Sequence, residues 1–286
     1  MPDFPRARVA ACGGLVAFVL IIGAGALAIN RAAGRDGVMA QADPVVTPQA
    51  AVVRTVPPLR AAPAPAGLPK IDYWGAAAGF PADRAASSVQ TVLEGLSPDR
   101  NLVVYDAEGG RPRAVLPPKI SGMPVVVPIV ERANGWVGVL LPTLNRRVGW
   151  IPDGGWTPSA LRDQLIMKLS THRLTWLRDG VRQAEWKVAT GTERTPTPLG
   201  RTFVLGRTGT DGAAYAQLDA LVLGSIPEHP AALAPSLRDG HTAIHAWYRP
   251  SALGRSTSNG CIRMSPAAQR TVLQQVKPGV VVHVIN

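Results

Sequence analysis

Ser258-Asn259-Gly260-Cys261-Ile262-Arg263-Met264, preceded by Ile244-His245, is the stretch on which the reading of this chain turns. A thiol attacks an amide as its thiolate, so it needs a base within reach and backbone donors aimed at the oxyanion that forms. Cys261 is the candidate nucleophile and His245 the candidate base. In the turn Asn259-Gly260-Cys261, a residue without a β-carbon lets consecutive N–H groups converge on one point, which makes Gly260 a candidate oxyanion donor. Arg263 can present a planar fork to a carboxylate. The plain alternative is an ordinary turn with a buried thiol beside a structural histidine.

A second block lies upstream. Arg173-Leu174-Thr175-Trp176-Leu177-Arg178-Asp179-Gly180-Val181 alternates around an Asp-Gly pair, a hairpin signal. It leads through Trp186-Lys187-Val188-Ala189-Thr190-Gly191 into Thr195-Pro196-Thr197-Pro198-Leu199-Gly200. On these two blocks the chain resembles the L,D-transpeptidase catalytic (YkuD-type) family. The signature of that family is a His followed by Ser-(His/Lys/Asn)-Gly-Cys-(Ile/Val/Leu)-Arg, with a strand-Gly-Thr-Pro-Thr-Pro-x-Gly segment before it. Pro250, Gly254 and Ser258 fall where the family has Pro, Gly and Ser. Ala246 stands where the family usually has Gly, and Asn259 where many members carry a second His.

The resemblance implies a β-sandwich with the cysteine between a strand and a helix, and the carbonyl of Ala246 orienting His245. It puts Arg263, Ser258 and Asn259 on the substrate side, with a variable loop, Gly206 to Gly240, over the site. Tyr215 belongs either to that lid or to the core. The implied chemistry is two-step acyl transfer on peptidoglycan stem peptides, without cofactor. A tetrapeptide stem loses its terminal D-alanine, is held on Cys261 as a thioester, and passes to a neighbouring diaminopimelate amine to make a 3-3 cross-link. With water as acceptor the same residues give an L,D-carboxypeptidase, and a degenerate site gives a wall-binding protein. A metal peptidase built on His241 and His245 lacks the Glu of His-Glu-x-x-His and a third ligand, so no metal is expected.

Compartment is read from the N-terminal segment. Val9 to Ile29 is nearly all apolar, long enough to span a bilayer as a helix, and follows Arg6 and Arg8. It reads as a transmembrane signal anchor with residues 1–8 as a cytoplasmic tail, or as an export signal cleaved near Ala26-Leu27-Ala28. Of the two cysteines, Cys12 lies within this segment, which leaves Cys261 as the one thiol outside it. A net charge of +11 fits an anionic cell envelope. No basic stripe interleaved with aromatics points to nucleic acid. The expected location is extracytoplasmic, tethered to the cell membrane.

The rest divides by composition. Residues 30–88 are a Pro/Ala-rich linker, interrupted by the apolar island Ile71-Asp72-Tyr73-Trp74, which either docks onto a domain or stays a flexible hydrophobe. Residues 89–158 alternate short β-like runs with Gly turns, and Asn134 to Pro142 with Val148 to Ile151 resembles a bacterial Src-homology-3-like barrel, as precedes the catalytic domain in some actinobacterial members. Trp136 and Trp150 are there either a cell-wall ligand platform or core. Residues 161–286 carry the catalytic domain, mostly strands, with one helix over Pro266 to Gln275 begun by Ser265. The expected fold is thus mostly β: a transmembrane helix, a small barrel, and a sandwich with one short helix.

Overall fold

The computed structural model describes residues 57–210, 212–224 and 242–286. The expected tail, the apolar segment Val9 to Ile29, the linker up to residue 56, and His241 lie outside the described residues. Among those described, no helix is long and apolar enough to cross a membrane.

Nine short strands build the N-terminal part: β1 (Glu94–Pro98), β2 (Leu102–Tyr105), β3 (Pro112–Leu116), β4 (Lys119–Ile120), β5 (Met123–Pro124), β6 (Val127–Ala133), β7 (Trp136–Leu140), β8 (Val148–Pro152) and β9 (Trp156–Ala160). Seven form one antiparallel sheet in the order β3-β2-β8-β7-β6-β1-β9, and β4 pairs only with β5. Asn134-Gly135 closes the β6–β7 hairpin with Gly135 at φ 75°, and Ala133 faces Trp136 across it. The expected barrel is realised as an open ladder, since among the described residues no pairing joins edge strand β3 to edge strand β9. Strand β9 carries Pro158, which only an edge tolerates because proline has no N–H to donate. Trp136 and Trp150 are buried, with Trp136 edge-on to Tyr105 at 5.1 Å, so they serve as core and not as a platform.

The stretch expected as a free spacer is packed, from Pro57 onward, against the rest of the chain. Trp136 Nε1 donates to Leu59 O at 2.8 Å, and Tyr105 Oη to Ala62 O at 2.8 Å. Lys70 bridges Val115 in parallel, and the island divides into buried Ile71 and Tyr73 and a Trp74 that is 50% exposed. Further along, Asp83 holds Arg201 by two hydrogen bonds of 2.6 and 3.0 Å, with both side chains 1% exposed. Of the two readings of the island, docking onto a domain is the one the structure shows; composition missed the anchors outside it, because small Ala and Pro side chains leave the docking to a few widely spaced residues.

The C-terminal part comprises β10 (Asp163–Lys168), β11 (Arg173–Arg178), β12 (Val181–Lys187), β13 (Thr190–Gly191), β14 (Gly200–Thr208), β15 (Ala220–Leu223), β16 (Ala243–Ala246), β17 (Ser256–Ser258), β18 (Ile262–Met264), α1 (Pro266–Gln275) and β19 (Val281–Ile285). Asp179 and Gly180, at φ 50° and 77°, make the tight turn between β11 and β12. Eight strands run in the order β12-β11-β10-β19-β14-β15-β16-β18. Strand β14 pairs through Gly200–Phe203 with β19 and through Val204–Thr208 with β15, with an irregularity between Val204 and Gly206. Such a bulge lets one strand pass from one half of a folded ladder to the other. The halves bury a common core: Leu165, Met167, Val282 and Val284 from one, and Leu221, Ile244, Ile262 and Met264 from the other, closed by Val272 and Leu273 of α1. Phe203, Leu205 and Val222 turn away from it into the core of the N-terminal sheet.

Candidate active site

Two parallel strands, β16 and β18, carry His245 and lead out of Cys261. Strand β16 pairs with β18 so that His245 stands opposite Arg263, and Cys261 immediately precedes β18, where the Ala243 N–H is directed at its sulfur. The upstream block fastens this pair. Ala189 and Arg263 exchange two backbone hydrogen bonds, of 2.8 and 2.9 Å, and β13 runs parallel to β17. Thr192 N and Thr195 Oγ1 both donate to Ser258 O at 3.1 Å, so the Thr-Pro loop forms a floor under the cysteine turn. Gly191 permits the approach, because a β-carbon there would lie 2.1 Å from Thr195 O. From the other side, fully buried Gln269 of α1 donates to Ile244 O at 3.2 Å and Asp219 O at 2.8 Å. Helix α1 is set in turn by Ser265, whose hydroxyl accepts from Ala268 N at 3.2 Å.

His245 Nδ1 lies 2.8 Å from Ala246 O. A carbonyl only accepts, so Nδ1 carries the proton and Nε2 presents its lone pair. Burial pushes the imidazole down to about 4, with the Arg263 charge adding to the fall and the Ala246 carbonyl opposing it. Burial also raises the Cys261 thiol, against the Ala243 N–H and Arg263, which favour the thiolate. Burial thus favours the neutral form of both groups, the imidazole and the thiol.

Two expectations are corrected. Ser258 is completely buried, its hydroxyl donating to Cys261 O at 2.6 Å, so it braces the turn and does not face substrate. The Gly260 N–H donates to the same hydroxyl at 3.1 Å and is thereby taken from the oxyanion role. Serine competes in this way with other uses of nearby backbone groups whenever its hydroxyl can reach two residues on. Gly260 keeps its conformational reason, with φ 114°.

Asn259 is exposed at the tip of the turn. Arg263 lays its guanidinium 3.7 Å from the centre of the Trp247 ring and donates through Nη1 to Thr257 O at 3.1 Å. Its Nε is buried without a hydrogen-bond partner among the described residues. Tyr215, in the short 3-10 turn Ala213–Tyr215, packs edge-on to the His245 ring at 5.0 Å, on the site and half-buried. Trp247 had not been singled out, although it lies 6.1 Å from both the His245 and Tyr215 rings. The available signal was its place two residues after His245 on an extended chain, which puts both on one face. His245, Tyr215, Trp247 and Arg263 thus form one cluster of rings and a guanidinium, with Cys261 two residues before Arg263 in the chain.

Residues 162–284 match the profile of the L,D-transpeptidase catalytic domain, YkuD. Among solved structures, the chain is similar to an L,D-transpeptidase from Mycobacterium smegmatis at 17% identity, over 49% of this chain and 73% of that one, with a TM-score of 0.35. It is similar to L,D-transpeptidase 3 from Mycobacterium tuberculosis at 17% identity, over 57% and 79%, with a TM-score of 0.35. The catalytic domain of an E. faecium L,D-transpeptidase aligns at 20% identity, over 44% and 98%, with a TM-score of 0.32. No curated protein matches the sequence. By its profile match, the segment 162–284 belongs to the L,D-transpeptidase catalytic domain family.

Proposed function

We propose that this protein is a peptidoglycan L,D-transpeptidase that takes a tetrapeptide stem as acyl donor, forms a thioester on Cys261 with loss of D-alanine, and makes 3-3 cross-links. The observation that carries the reading is the tautomer of His245: Nδ1 bonded to Ala246 O leaves Nε2 as the acceptor for the thiol proton. As the sulfur attacks the scissile carbonyl, Nε2 takes its proton and then delivers it to the departing amine of D-alanine. In the second half the same nitrogen deprotonates the incoming amine, which attacks the thioester and releases the thiol. Arg263, raised on Trp247, supplies the cation for a stem carboxylate, and Asn259 and Tyr215 border the donor. Oxyanion donation falls to backbone N–H groups of the turn other than that of Gly260. The same reading sets the domain outside the cytoplasm, against an anionic envelope, tethered through the apolar segment 9–29.

The test is intact mass after incubation with a carbapenem or a tetrapeptide stem. An adduct on Cys261, absent from Cys261→Ala, is the expected result. With a stem and an amine acceptor the product should be the cross-linked dimer. Tripeptide alone would reassign the protein as a carboxypeptidase, and no adduct with either probe would overturn the reading.

A further inference from the structure

Tyr73 belongs to the segment before the N-terminal sheet, far in sequence from the thiol, yet its phenol reaches the catalytic-domain strand β15 and lies within electrostatic range of Cys261. The Oη donates to Leu223 O at 2.5 Å across 150 residues of sequence, and the side chain is 1% exposed. The backbone at Tyr73 is left-handed, φ 74°, a conformation that a bulky residue keeps only where its surroundings impose it. The peptide group that Tyr73 grips is held from its other side too, since Gly224 N donates to Phe203 O at 2.7 Å. Leu223 N donates in turn to Thr242 O at 3.0 Å. The carbonyl of Thr242 and the N–H of Ala243 are one peptide group, and the register that sets Ile244 opposite Ile262 brings Ala243 alongside Cys261, whose thiolate that N–H favours. A peptide whose carbonyl accepts a hydrogen bond is polarised into a stronger donor at its N–H.

We propose, building on the catalytic reading of Cys261, that Tyr73 is a positioning residue for the thiol: its phenol clamps Leu223, and Leu223 holds the peptide whose N–H supports the thiolate. The N-terminal segment is then a working part of the active site and not a spacer. Burial raises the phenol well above its ordinary range, with the charge of Cys261 adding to the rise, so Tyr73 is a neutral donor at neutral pH. The other groups facing the thiol are accounted for. Arg263 acts on it through its charge, and His245 stands across the strand pair. Tyr215 and Tyr248 act on Arg263. None of these touches the Leu223 carbonyl.

Alkylation of Cys261 by iodoacetamide as a function of pH tests this without reference to transpeptidation. Tyr73→Phe removes one oxygen and should move the alkylation midpoint upward by about half a unit to one unit. Tyr105→Phe, which deletes a similar phenol-to-carbonyl bond at Ala62, should leave the midpoint where it is while costing comparable thermal stability. Replacing Tyr73 by 3-fluorotyrosine, a stronger donor of nearly the same shape, should move the midpoint the other way and serves if the Phe variant does not fold. An unchanged midpoint in a folded Tyr73 variant, or an equal shift in Tyr105→Phe, would overturn the proposal. Carbapenem acylation of the wild type, run alongside, reports separately on whether Cys261 is the nucleophile.

Discussion

Burial that keeps His245 neutral has a thermodynamic consequence that can be measured apart from turnover. The imidazole sits at about 4 in the folded chain, against 6.5 for a free side chain. Between those two values the unfolded chain binds a proton that the folded chain refuses, so stability rises with pH across the window and is lost as the pH falls through it. Integrating single-site linkage from pH 7 to pH 5 gives a loss of about 2 kcal/mol from this residue alone. His245→Gln removes the titration and keeps an N–H donor for the Ala246 carbonyl. Urea unfolding at the two pH values should therefore show the wild type losing about 2 kcal/mol more than the variant over the step. His283 is also lowered by burial while it donates to Gln90 O at 3.0 Å, but it is present in both proteins and cancels. Equal losses in the two proteins would refute the reasoning, since they would mean that the imidazole at 245 gains its proton as readily in the folded state as in the unfolded one.

Two further outcomes follow from named contacts. Arg263→Lys keeps the charge but loses the planar stack on Trp247 and the fork, so acylation should slow about tenfold or more with little change in melting temperature; a melting loss large enough to account for the rate would make Arg263 a brace for Thr257 O and not a substrate contact. Asp83→Ala strands Arg201 in the core and should destabilise by about 3–5 kcal/mol in urea unfolding, whereas Asp83→Leu with Arg201→Met should recover most of it; a single variant within about 0.5 kcal/mol of wild type would show that the guanidinium finds water or another partner.

What could be read from the sequence was whatever is encoded locally. The Asp179-Gly180 hairpin, the Ser265-Pro266 start of α1 and the alternation of the central strands each depend on neighbours within a few positions, and each has its counterpart in the structure. Long-range pairs left no such trace. Asp83 and Arg201 are 118 positions apart, and Tyr73 and Leu223 150 apart, so nothing in composition joins them, and a Pro/Ala-rich segment looked unattached. At the site, Cys261 and His245 could be singled out as candidates because acyl transfer demands those residue types. The fate of the Gly260 N–H was not, because it hangs on the rotamer of Ser258, which sequence does not record.

Strands β10 and β19 open and close the catalytic ladder, yet they are parallel neighbours in its middle, with Gln164 opposite Val281 and Lys168 opposite Ile285. Parallel pairing of distant segments is slow, because the intervening loop must close before any contact rewards it. A chain emerging from a ribosome carries β10 to β18 before β19 arrives. Until then β10 and β14 face an empty slot, and β16 and β18, which carry the base and adjoin the thiol, rest on a half-built frame. Docking of β19 therefore joins β10 to β14 and so ties the β10–β12 half of the ladder to the half that carries His245.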